Sequence, residues 1–157
     1  MNQQEVDAYN RSEIRSVVKA FKAMDETAIA KAKQVSGALA EYALGKIQEA
    51  AGSRTVATKV ATRVANNAKV SKSSKIGEIS IGFASQKFSG GGTTKGLWGG
   101  MEFGSNRFKQ FPNRTPSIGR GNRGYFIFPT LKDAQPHIIE EWQNAFSEII
   151  KDFNNGI

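Results

Sequence analysis

The apolar positions of this chain follow two different periods. From residue 12 to about residue 68 they recur every three or four residues. Ile14, Val17, Val18, Phe21 and Met24 predict a helix over 12–24, with Ser12 as its N-cap. Asp25 is placed to cap a second helix reaching about Ala51. Its stripe is Ile29, Ala32, Val35, Leu39, Tyr42 and Ala43, and Gly52 supplies its stop. Val56, Val60 and Val64, at strict four-residue spacing, predict a third helix over 54–68 capped by Ser53. Its basic residues Arg54, Lys59, Arg63 and Lys69 have no acidic neighbours in the sequence.

The period then changes to two. Ile79, Ile81 and Phe83 alternate with Ser80 and Gly82, the pattern of a half-buried strand. The stretch 84–96, with Ser89, Gly90, Gly91, Gly92, Thr93 and Thr94, reads as a flexible loop. Leu97 to Phe103 and Gly124 to Phe128 read as further strands, the second short, aromatic and bounded by Gly and Pro129. From about Asp133 the helical period returns in Ile138, Trp142, Ala145, Phe146, Ile149, Ile150 and Phe153, with Pro136 assigned to the first turn. This last helix is expected to pack across the sheet through Trp142, Phe146 and Ile149. Truncating Trp142 to Ala is expected to cost about 3–5 kcal/mol.

Together these elements predict an α+β fold: N-terminal helices, a small antiparallel sheet of 3–4 strands with a long Gly-rich basic loop region, and a C-terminal amphipathic helix on the sheet. The 157 residues suit one domain, with a helical part over 1–70, strands and basic loops over 76–130, and the last helix over 131–153. Twelve of the 16 glycines lie between Gly77 and Gly124, which argues against long helices there. No apolar run is long enough for a membrane span, and the polar, acidic start does not read as a signal peptide.

The charge sharpens this division. Residues 1–50 carry seven basic and seven acidic side chains and no net charge. Residues 51–130 carry thirteen basic and two acidic ones, Glu78 and Glu102, for +11. Residues 131–157 carry two and five, for −3. The overall +8 is therefore concentrated in the Gly-rich centre, which points to an acidic partner, either nucleic acid or a protein surface.

Chemistry is poorly provided for. With no Cys and one His, thiol catalysis, disulfides, a zinc ribbon and a His-rich metal site are not expected. Gly119-Arg-Gly121-Asn-Arg-Gly124 has the spacing of a dinucleotide fingerprint, but a Pro-rich loop precedes it and a strand is predicted after it, the reverse of the required context. Gly90 to Gly96 lacks the Gly-Lys-Ser/Thr order of a phosphate loop. Glu140 and Glu141 belong to the outer face of the last helix rather than to a carboxylate pocket. No enzyme activity and no cofactor are expected.

Arg107, Lys109, Arg114, Arg120 and Arg123 alternate with Phe108, Phe111, Tyr125 and Phe126. Such interleaving suits stacking on single-stranded nucleic acid. It also arises where a loop buries its rings and shows its cations, and that reading is preferred here because stacking needs exposed rings. Non-specific attraction to phosphates requires neither.

The order of motifs resembles a known family. Gly100-Met101-Glu102-Phe103-Gly104-Ser105, then Phe128-Pro129-Thr130-Leu131 and a long terminal helix, is similar to the tail-completion or head–tail joining proteins of tailed bacteriophages. The block Phe103 to Pro112, with Gly-Arg-Gly and Gly-Tyr-Phe-Ile-Phe-Pro later, looks most like the versions in siphophages of actinobacteria. The resemblance covers residues 35–153. It departs from the usual pattern in a longer, more basic insertion between Glu102 and Pro129 and in Leu97-Trp98-Gly99-Gly100 ahead of the turn. It implies a non-enzymatic virion protein of the neck, present in the host cytoplasm during assembly. It implies a cyclic homo-oligomer, a hexamer in the family, around the DNA channel, with no membrane contact. Its neighbours would be portal, adaptor or stopper proteins on the head side and terminator or tail-tube proteins on the tail side. Glu102, Phe103 and Gly104 would shape a turn at the sheet edge. Arg107, Lys109, Arg114, Arg120 and Arg123 would face neighbouring subunits or DNA. A tail terminator, a head-closure stopper and a free-standing nucleic-acid-binding module are the alternatives.

Overall fold

The computed structural model describes residues 26–55, 57–71, 77–82, 85–111 and 124–155, with side chains up to 152. The helix expected over 12–24 lies outside the described residues. The described residues are mostly helical, with one small antiparallel sheet: α1 (Glu26–Ser53), α2 (Thr58–Asn66), β1 (Lys69–Ser71), β2 (Glu78–Ser80), α3 (Thr94–Phe103) and α4 (Ile127–Asn155).

Helix α1 is the axis of the fold. Its buried face is made largely of small residues, Ala28, Ala32, Ser36, Gly37, Ala40, Ala43 and Ala51, with Leu39 and Ile47. Small side chains let neighbouring elements approach closely, and α4, α2 and both strands pack on it. Helix α4 runs antiparallel to α1. Near its C-terminal end Ile149 is buried with Ala28 and Ala32, and Trp142 and Phe146 pack against them. Farther back, the His137 and Tyr42 rings meet at 4.7 Å between centroids. At the outer end Lys31 bridges Glu148 at 3.3 Å and Asp152 at 2.9 Å. The last helix thus packs along α1 and not across the sheet. The sheet has only two strands among the described residues, too small a platform for a 29-residue helix.

The larger cluster joins the other end of α1 (Ile47, Ala51) to α2 (Ala61, Val64, Ala65), α3 (Leu97, Met101) and the aromatic approach to α4 (Phe111, Tyr125, Phe126, Ile127). Helix α2 is shorter than the spacing predicts. Ser53 does not cap it: this serine closes α1, donating its hydroxyl to the Ala50 carbonyl at 2.9 Å. Ala57 then takes a left-handed conformation (φ 51°), which separates the two helices. At its far end Asn67 Nδ2 donates to the Arg63 carbonyl at 2.8 Å.

Strand β1 was not anticipated, because Lys69-Val-Ser71 offers one apolar residue and no alternation to read. It pairs with β2 in the register Lys69↔Ser80, Val70↔Ile79, Ser71↔Glu78. The Gly-rich stretch that follows is hydrogen-bonded rather than a loose loop. Phe88 N–H donates to the Gly92 carbonyl at 2.8 Å, Gly91 N–H to Phe88 at 2.9 Å, and Lys87 bridges Thr93.

Leu97 to Phe103, expected as a strand, is the body of helix α3. Thr93 sits extended at its N-cap and accepts the Gly96 N–H on its hydroxyl at 3.1 Å. Leu97 and Met101, four apart, then face the core together. Gly100 tolerates the helix because space demands it: a Cβ there would lie 3.2 Å from Ser105 and 3.3 Å from the Phe111 ring. Gly124 to Phe128, also expected as a strand, is a turn and the first residues of α4. The helix therefore begins six residues before Asp133, and Pro136 lies well inside it. Pro136 and Lys132, whose carbonyl it leaves without a helical donor, are both exposed to solvent.

Candidate functional site at the root of the basic loop

Glu102 is one of two carboxylates in a segment with thirteen cations, and it is fully buried. It lies in the last turn of α3, on the face carrying Met101 and Leu97. Its side chain reaches the start of α4. Oε2 accepts the N–H groups of Phe126 and Ile127 at 3.0 Å each, and Oε1 those of Ile127 at 3.1 Å and Phe128 at 2.8 Å. The first amides of a helix have no intrahelical acceptors and carry the positive end of its dipole, so a buried carboxylate is stabilised there. It replaces the usual local Ser or Asp cap with one from another helix.

The glycines on either side make this geometry fit. Gly104 (φ 88°) ends α3, donating its N–H to the Gly100 carbonyl at 2.8 Å. Gly124 (φ 75°) brings the chain back, and its hydrogen-only face lies against Glu102 Oε1. A Cβ there would run into that oxygen and approach Phe128 Cβ to 2.8 Å. Between α3 and α4 Phe103 packs on Phe128, at 5.3 Å between centroids, and on Trp98, at 6.5 Å. Glu102, Phe103 and Gly104 thus form the root of an excursion that leaves at Gly104 and returns at Gly124. The resemblance implies a turn at a sheet edge for these three residues; they stand instead at a junction of two helices.

Of the five cations assigned to contacts, Arg107 and Lys109 are exposed on this excursion, while Arg114, Arg120 and Arg123 lie outside the described residues. The start of the excursion folds on itself. Ser105 Oγ accepts the Arg107 and Phe108 N–H groups at 3.1 and 3.2 Å, and Ser105 N–H donates to the Phe111 carbonyl at 2.6 Å. Phe111 and Phe126 are fully buried, Tyr125 nearly so and Phe108 half-buried. Phe111, Tyr125 and Phe126 are therefore held in the core, while Arg107 and Lys109 face solvent. Trp142, Phe146 and Ile149 belong to the smaller cluster at the other end of α1, where Trp142 and Phe146 are half-buried.

Burying Glu102 also changes the electrostatics of the surface. The only other acidic residue between 51 and 130, Glu78, is exposed, so it is the one carboxylate that the described residues of this segment present to solvent. A further basic feature, which no sequence motif signals, is an open groove of about 490 Å³ lined by Thr58, Lys59, Val60, Thr62, Arg63, Phe88 and Ser89. The Arg63 guanidinium lies 4.6 Å from the Phe88 ring centroid. Arg54 covers Tyr125 in the same way at 5.4 Å. Among the described residues no three His, Asp or Glu side chains stand together as a metal site, and no helix is long and apolar enough to cross a membrane.

No protein-family model, curated protein or solved structure matches this chain.

Proposed function

We propose that the chain is a neck protein of a tailed bacteriophage, one subunit of a ring that joins the DNA-filled head to the tail. The observation that carries this reading is the meeting of two sequence blocks that the resemblance rests on. Glu102 of the Glu-Phe-Gly turn binds the backbone at Phe126, Ile127 and Phe128, directly before Pro129 and the terminal helix. The two blocks act as a single device: they fix where α4 starts and close the base of the basic excursion. A ring around DNA needs cations without sequence readout, and Arg107 and Lys109, exposed beside buried rings, supply that. Arg114, Arg120 and Arg123 extend the same basic segment.

Removing the coding sequence from the phage that carries it tests this. The expected lysate contains DNA-filled heads and unattached tails, and expression of the chain in trans restores whole particles. Intact particles from the deletion would overturn the assignment. A free-standing nucleic-acid-binding module draws on the same carboxylate-poor surface. It predicts tight binding of the isolated protein to DNA of any sequence, falling steeply with salt.

A further inference from the structure

The groove beside α2 has two walls, and hydrogen bonds hold them together. One wall is α2; the other is the turn that carries Phe88 and Ser89. Asn67, just past α2, donates from Nδ2 to Gln86 Oε1 at 2.9 Å, and Gln86 N–H donates to the Thr94 hydroxyl at 3.2 Å. The turn itself is closed by the bond from Phe88 N–H to the Gly92 carbonyl. The groove is therefore built without a ligand. Its volume of about 490 Å³ falls within the range of small-molecule sites, about 300–1,000 Å³.

The lining joins three chemistries. Val60 and Phe88 give an apolar floor that continues into the larger core cluster. The Arg63 guanidinium lies 4.6 Å from the Phe88 ring centroid, so a cationic plane and an aromatic ring stand together. Thr62 and Ser89 bring hydroxyls. Lys59 is exposed one turn before Arg63 on the same face of α2, about 6 Å away along the axis.

No carboxylate answers these cations at the groove. None lines it, and none occurs in α2. Two other helices, α1 and α3, pack on α2. On α3, Glu102 is buried and spends its oxygens on α4. On the half of α1 that meets α2, Glu49 is paired with Lys46 at 3.0 Å. Glu78 stands on β2, in register with Ser71.

An unpaired nucleotide has the matching parts. Its base is a plane with apolar faces and polar edges, and such bases stack on aromatic rings and on guanidinium planes. Its phosphate takes a cation at the rim. An acidic peptide would use the cations but not the stacking plane. A duplex keeps its bases paired and offers phosphates alone. The surroundings suit a run of phosphates rather than one: Lys87 is exposed beside Phe88, and the segment 51–130 carries a net +11.

We propose that this groove binds single-stranded nucleic acid, holding an unpaired base against Val60 and the Arg63–Phe88 pair with a flanking phosphate at Lys59. The proposal goes beyond the neck assignment and the binding-module alternative, both of which ask only for attraction to phosphates. It stands or falls without either.

Fluorescence anisotropy of a labelled oligothymidylate of about 12 nucleotides, titrated with the full chain, tests it. The single strand should bind at least tenfold more tightly than a duplex with the same number of phosphates. Lys59→Glu changes an exposed side chain; it should weaken binding about tenfold and flatten the salt dependence. Phe88→Leu keeps an apolar side chain on the core and removes the ring; it should weaken binding about fivefold or more and leave the salt dependence unchanged. Circular dichroism melts confirm that both variants are folded. Free thymidine monophosphate should compete far less well than unlabelled oligomer. Equal affinity for single strand and duplex overturns the proposal, and so does unchanged binding in both folded variants. Polyglutamate or the free nucleotide competing as well as the oligomer overturns it as well. A chain that binds no single strand at low salt overturns it and leaves the neck assignment in place.

Discussion

The Glu102 carboxylate accepts the Ile127 N–H on both of its oxygens, at 3.1 and 3.0 Å, across a gap of 25 residues. With the Phe126 and Phe128 amides it forms a buried, charge-assisted cap on α4. Removing it leaves three amides at the start of a helix without that acceptor. Glu102→Ala is expected to cost about 3–5 kcal/mol, as for a buried charged group stripped of its partner. Glu102→Gln keeps the shape and one acceptor oxygen but turns an NH₂ toward backbone donors, so about 1–2 kcal/mol is expected. Urea melts of the three proteins check the order. Equal stability of Glu102→Ala and wild type would contradict the cap.

Gly124 and Gly91 have nearly the same backbone, φ 75° and 82°, and different surroundings. A Cβ at Gly91 meets nothing within 4 Å, whereas at Gly124 it meets Glu102 and Phe128. Gly91→Ala should therefore cost only the left-handed strain, about 1–2 kcal/mol. Gly124→Ala should cost clearly more and be partly relieved by Glu102→Gln, which weakens the contact it disturbs. A double-mutant cycle on thermal unfolding measures that coupling.

The aromatic residues divide by burial. Phe126 is fully buried in the larger cluster, and Phe126→Ala should cost about 3–5 kcal/mol. Trp142 is half-buried in the smaller cluster, so its truncation is expected to cost about 2 kcal/mol, below the sequence-based figure. Denaturant melts in which Trp142→Ala exceeds Phe126→Ala would contradict this ranking.

Lys31 ties the end of α4 to the start of α1. Its ammonium is held above the ordinary 10.5 by a hydrogen bond from the lysine to Asp152, then by one to Glu148. A raised pKa in the folded state means a contribution fully present below pH 10.5 and lost as the pH climbs through the folded value. The melting temperatures of wild type and Lys31→Met should differ by a small, constant amount below that pH and converge above it. The difference should also shrink with salt, since the pair faces solvent.

The helical periods were legible because they repeat. Ala32, Leu39 and Ala43 lie on the buried face of α1, and Ile149 is buried in α4 as its spacing implies. The centre was misread because its secondary structure is set by distant partners. Three glycines in Thr94–Phe103 argue against a helix, yet the Thr93 cap and the core contacts of Leu97 and Met101 prevail. The aromatic run before Pro129 looks like a strand, but a carboxylate from another helix draws its amides into a helical turn. The useful sign was Glu102 itself: a lone acid between cations and apolar residues is costly unless the fold gives it a partner. Its partner is backbone, which no side-chain pattern displays.

The role in the neck is tested most directly by reconstitution. Filled heads and free tails from a lysate lacking the chain are mixed with the purified protein, and joined particles are counted by electron microscopy and plaque assay. The account predicts that joined, infectious particles appear in proportion to the protein added. Heads and tails that join equally well without it, or that stay apart however much is supplied, would contradict it.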